Sequence, residues 1–92
     1  MTKPLTVRDL HRVAMELFDA AELARISDDK PLALKLYTAA QEAEQKAADL
    51  CEKEPSKSIL VASAYNIGLR VLEMRGVSLP LSADSEEGID RE

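Results

Sequence analysis

Two short turn-forming segments, SDDKP at 27–31 and EPSKS at 54–58, cut this chain into three stretches of similar length. Each carries a proline, which stops one helix and is tolerated in the first turn of the next, where its missing N–H would have no intrahelical partner. Within each stretch apolar residues return at steps of three and four, the period of a helix with one buried face. The chain is thereby confined to an all-α architecture, a three-helix antiparallel bundle with short connections.

The first helix is predicted over 7–27. Thr6 followed by Asp9 makes a capping box with Asp in place of Glu, and Leu10, Ala14, Leu17, Ala21 and Ala24 form the apolar stripe. The second is predicted over 31–53, with Asp28 or Asp29 accepting its free amides and a stripe of Ala33, Leu36, Tyr37, Ala40, Ala43, Ala47 and Leu50. Its carboxylates, Glu42, Glu44, Asp49, Glu52 and Glu54, are interrupted by Lys46 and Lys53 and read as a solvated face. The third helix is predicted over 56–75, closed by Gly76 in the left-handed conformation. Beyond it, 77–81 reads as a fold-back arm completing a domain of residues 1–81. Residues 82–92 read as a disordered acidic tail with too little apolar surface to offset its ordering entropy.

Composition sharpens the functional expectation. A chain of 92 residues supports one domain with a small core, which leaves little room for an internal catalytic cavity. Its only aromatic residues are Phe18, Tyr37 and Tyr65, while alanine is abundant, as close helix packing requires. The net charge of −5 argues against nucleic acid or an anionic membrane as partner; Lys3, Arg8, His11 and Arg12 read as a solvated helix end. No apolar run is long enough to cross a membrane, and the lone Cys51 cannot form an intrachain disulfide, so a cytoplasmic protein is expected.

Nothing in the sequence assembles into a reaction site. His11 is the only histidine and has no further ligands at helix spacing for a metal. Cys51 lies on the apolar side of the second helix and reads as a small packed hydrophobe. There is no glycine-rich phosphate loop. The expectation is a non-enzymatic protein without cofactor, metal or catalytic residue.

Leu17, Ala20, Ala21 and Ala24 stand at the spacing of the first-helix signature of tetratricopeptide repeats, and Ala33, Tyr37 and Ala40 reproduce the small, aromatic, small spacing of the second. Asn66, Ile67 and Gly68 resemble the opening of a following repeat. The chain therefore resembles about one and a half such repeats. It departs from them in having no Trp, in Ala24 standing where an aromatic is usual, and in the delay of the proline to Pro55. The extra length at the end of the second helix matches extra length at the start of the first, and in an antiparallel hairpin both lie at one end. The chain is also similar in hairpin spacing to the microtubule-interacting-and-trafficking domain, without a residue-by-residue match to its partner-binding motif. Either resemblance implies a helical module that binds proteins.

The third helix carries more apolar surface than one contact can hide. Leu60, Ala64, Ile67, Gly68, Val71 and Met74 or Arg75 form one stripe; Val61, Tyr65, Leu69 and Leu72 form a second beside it. The first is expected to pack on the hairpin and the second to bind a partner, because contiguous exposed apolar surface marks interaction sites. Its cover would be a second copy in a homodimer, a different protein, or the arm at 77–81. The alternative is a small regulatory bundle that takes a small apolar ligand in the groove beside the third helix.

Overall fold

The computed structural model describes residues 5–76. Helix α1 (Val7–Ile26) begins where Thr6 and Asp9 exchange hydrogen bonds: the Asp9 amide donates to Thr6 Oγ1 at 3.1 Å and the Thr6 amide to Asp9 Oδ2 at 3.2 Å. This is the predicted capping box, and the Thr6 amide is the first cause that holds the Asp9 carboxyl below its usual range. The turn into α2 (Lys30–Leu50) puts Asp28 at φ +64°, a left-handed conformation that aspartate tolerates. Asp29 caps α2 by accepting the Leu32 amide at 3.2 Å, and Pro31 sits in the first turn.

Helix α2 stops three residues short of the predicted Lys53. The backbone turns extended at Cys51, whose side chain enters a buried cluster with Leu10, Ala47, Ala48 and Leu60. Lys57, arriving from the next helix, donates Nζ to the carbonyl of Ala48 at 2.7 Å, which also accepts from the Cys51 amide at 3.3 Å. An inward-turning cysteine and an ammonium cap replace a further helical turn. Helix α3 (Ser56–Met74) follows, with Glu54 accepting from both the amide and the hydroxyl of Ser58, and the chain leaves it through Gly76 at φ +80°.

The described residues form an all-α bundle in which α2 packs antiparallel to both α1 and α3. Ala14, Ala21, Ala33, Ala40, Ala47 and Ala48 are buried at these contacts, so the backbones approach closely. Tyr37, the largest fully buried side chain among the described residues, meets Phe18 edge-to-face at a centroid distance of 5.5 Å. The predicted arm at 77–81 and tail at 82–92 lie outside the described residues, as does the end of the 1–81 domain.

Two assignments on α2 are corrected. Leu50, placed in the apolar stripe, is exposed, because the helix ends beside it and the chain turns Cys51 inward instead. Glu44, placed on the solvated face, has no exposed surface. It follows Ala40 by four residues and precedes Ala47 by three, and therefore falls on the line of the buried face. What makes that burial tolerable is His11 on α1, whose Nδ1 lies 2.9 and 3.0 Å from the two Glu44 carboxylate oxygens.

Candidate interaction surface

Helix α3 touches the bundle on one side only. Leu60, Ala64, Ile67 and Val71 are buried against it, and Met74 is half-buried at the end of the same stripe. Gly68 lies against α2, where a Cβ would collide with the Gln41 side-chain amide, so the glycine allows this approach as it stands. On the other side, Val61 (46% exposed), Tyr65 (63%) and Leu72 (37%) stand in water. Leu69 does not join them fully: it is half-buried on the rim of a groove between α1 and α3. The predicted partner-binding residues thus divide, three on the outer face and one at the groove edge.

That groove, about 700 Å³ and open to solvent, is walled by Met15 and Phe18 of α1 and by Ile59, Ala62, Ile67 and Leu69 of α3. It exists because α1 and α3 each pack mainly on α2 and touch each other only lightly. A second depression, lined by Val7, His11, Leu50, Cys51, Ile59 and Leu60, continues it past Ile59 toward the start of α1. Sequence periodicity assigned Phe18 and Met15 to no stripe, since a groove is defined by two helices and no single-helix pattern reports it. The 3–4 spacing of Met15, Phe18 and Glu22 along α1 was the available signal.

A polar cluster closes the Glu73 end of the groove and draws on all three helices. Tyr37 donates its hydroxyl to Glu22 and accepts from Arg25 Nε at 3.2 Å. Arg25 also donates to Glu22 at 2.8 Å, and Arg70 of α3 reaches Glu22 at 3.6 Å while donating to Glu73 at 2.9 Å. Donation from Arg25, then from Tyr37, holds the Glu22 carboxyl below the usual glutamate range. Burial, then the Glu22 carboxylate, pushes the Tyr37 phenol up. Arg25 and Arg70 are raised, chiefly by their hydrogen bonds to Glu22 and Glu73 respectively.

Cys51 is a buried free thiol, and His11 is a boundary residue with its side chain 47% exposed. Among the described residues no three His, Cys, Asp or Glu side chains converge as a metal site would need. None of the described helices is long and apolar enough to cross a membrane. No family model, curated protein or solved structure matches the chain.

Proposed function

We propose that this protein is a non-enzymatic interaction module, built on a tetratricopeptide-like hairpin plus one further helix, that binds a protein through α3 and the groove beside it. The observation that carries this reading is the row Val61, Tyr65 and Leu72, large apolar side chains exposed on one face of one helix while the same helix is packed on its other side. The repeat-like part is supported by Ala21, Ala33, Tyr37 and Ala40, all buried between α1 and α2, and by the close approach of Gly68 to α2. A microtubule-interacting-and-trafficking-like module would have the same three helices and is the nearer alternative within this class.

The groove supports a protein ligand over a small apolar molecule. A ligand-binding bundle encloses most of its guest, whereas this groove is open along its length, with polar groups gathered at one end. Two acid–base pairs are present, His11 with Glu44 and Tyr37 with Glu22, and neither supports catalysis. Glu44 and Tyr37 have no exposed surface, and both pairs are spent on holding helices together. The unpaired Cys51 thiol fits a reducing cytoplasm.

Affinity capture from the native host, comparing the wild type with Tyr65→Asp, tests the reading. Tyr65 is the better site for the charge than Leu69, whose half-buried side chain also supports the groove wall. Partners lost on Tyr65→Asp are expected. Identical partner lists from both baits would remove α3 from the interaction.

A further inference from the structure

The groove between α1 and α3 changes character along its length. From Glu73 to Ile59 its lining is apolar apart from Ser63 and Asn66, with the charged Arg70 and Glu73 confined to one end. Ile59 stands 62% exposed in the middle of the path. Past it the second depression brings in Arg8 and Lys53 against a single lining carboxylate, Glu52, while His11 is already engaged by Glu44. Arg8 and Lys53 are both exposed, and among the described residues neither makes an ion pair. The path therefore runs from apolar walls to unpaired cations.

The residues that follow α3 carry the same order. Gly76, at φ +80°, turns the chain out of the helix axis, and its amide donates to the carbonyl of Glu73, a residue of the groove lining. Next in sequence come Val77, Ser78, Leu79, Pro80 and Leu81, and then the acids Asp84, Glu86 and Glu87. Laid out extended, as proline favours for the residue before it, Val77, Leu79 and Leu81 fall on one side. The lengths agree as well. From Glu73 to Ile59 the groove is about 21 Å long at 1.5 Å per helical residue, which about six or seven extended residues cover at roughly 3.3 Å each. Leu79 then comes level with Leu69 and Leu81 with Ser63, and the acids pass Ile59 to reach Arg8 and Lys53.

We infer that the segment 77–87 docks on this path within its own chain, with Val77, Leu79 and Leu81 in the apolar groove and Asp84, Glu86 and Glu87 facing Arg8 and Lys53. The acids act while solvated, since opposite charges within about 10 Å attract without burial. A tethered segment stands at a roughly millimolar effective concentration and loses none of the translational freedom that a separate peptide or a second copy would lose. Docked, it holds the groove against a protein ligand and leaves Val61 and Tyr65 on the outer face of α3 uncovered. The inference goes beyond the reading of α3 as an interaction surface and does not depend on it.

Disulfide trapping on the full chain, in a Cys51→Ala background at low micromolar concentration, is the direct test. Leu81→Cys is combined with Ser63→Cys in the groove or with Val61→Cys on the outer face, with helical circular dichroism retained in both. Closure within one chain is expected to be on the order of tenfold faster with Ser63→Cys. It should slow several-fold when Arg8→Glu and Lys53→Glu are added, or when salt is raised. Equal closure at the two positions overturns the inference, as do faster closure with Val61→Cys, links formed only between chains, or a rate indifferent to the charge reversals. The partner reading is tested apart from this, because Tyr65 lies off the path. If Ser63→Cys fails to close and Tyr65→Asp still releases a captured protein, the docked segment is wrong and the interaction surface stands. If Ser63→Cys closes and Tyr65→Asp releases nothing, the docked segment stands and the outer face loses its partner.

Discussion

Tyr37 and Tyr65 sit on neighbouring helices, each between small residues at helical spacing, yet Tyr37 has no exposed surface and Tyr65 is 63% exposed. The difference lies in how many neighbours each helix has. Helix α2 is packed on by both α1 and α3, so Tyr37 is closed in by Phe18, Ala21 and Val71, and its hydroxyl must find partners, which Glu22 and Arg25 provide. Helix α3 packs chiefly on α2, and a tyrosine on its far side meets water. The same residue type is therefore a structural post in one place and, on the reading above, a contact in the other.

The sharpest way to break this comparison is to delete both rings. Tyr37→Ala removes a fully buried ring and leaves Glu22 and Arg25 without their shared hydroxyl; a loss of about 3–5 kcal/mol is expected. Tyr65→Ala, measured in dilute solution, should stay within about 0.5 kcal/mol of wild type. Urea denaturation followed by circular dichroism gives both values. Comparable losses for the two would mean that Tyr65 is covered within the monomer and is not free for a partner.

The same asymmetry explains what could be read in the sequence. The helices, their caps at Thr6, Asp29 and Gly76, and the buried stripe of α3 were legible because each depends on residues a few positions apart along one chain segment. Glu44 was not legible. A carboxylate flanked by glutamine and a nearby lysine in QEAEQK looks solvated, and only the arrival of His11 from another helix makes its burial possible. The groove and its polar cluster were hidden for the same reason: Phe18, Ile67 and Arg70 come together only after α1 and α3 have both docked on α2. Leu50 misled in the opposite direction, since its place in the stripe was right for a helix that continued and wrong for one that ends there.

Glu44 and His11 sharpen the contrast between a crowded and an open helix, because α2 has no water-facing outlet for this carboxylate. His11→Ala would leave a wholly buried acid without the partner that reaches both its oxygens, at a cost on the order of 1–3 kcal/mol. Glu44→Met removes the buried polar group and fills similar volume; it should cost less than His11→Ala and come close to neutral, as apolar replacement of buried ionic groups often does. Denaturation midpoints of the two variants rank them. If Glu44→Met were the more damaging, the pair would be a net source of stability and not a tolerated burial.

The smallest expected effect concerns the one ion pair between α1 and α3 among the described residues, Arg70 with Glu22. Glu22 is 25% exposed, so its pairing is screened by solvent and salt and contributes roughly 0.2–1 kcal/mol. Its carboxyl is held low in the folded chain by Arg25 and Tyr37 and returns to the ordinary range on unfolding. The folded state therefore binds this proton less readily than the unfolded state. The stabilisation is complete above the ordinary glutamate range and is lost as pH falls through the folded value. Asp9, also held low, acts in the same direction, so the informative quantity is the difference between wild type and Glu22→Gln. Glutamine keeps the volume and one acceptor oxygen but not the charge, as the protonated acid does, so the comparison reports the ionised carboxylate. Thermal melts from neutral to acid pH should show the wild type more stable near neutrality and the two converging in acid. A gap that stays constant across the range would assign the effect of Glu22 to packing, and α3 would then be tied to α1 by the shape of the groove wall and not by charge.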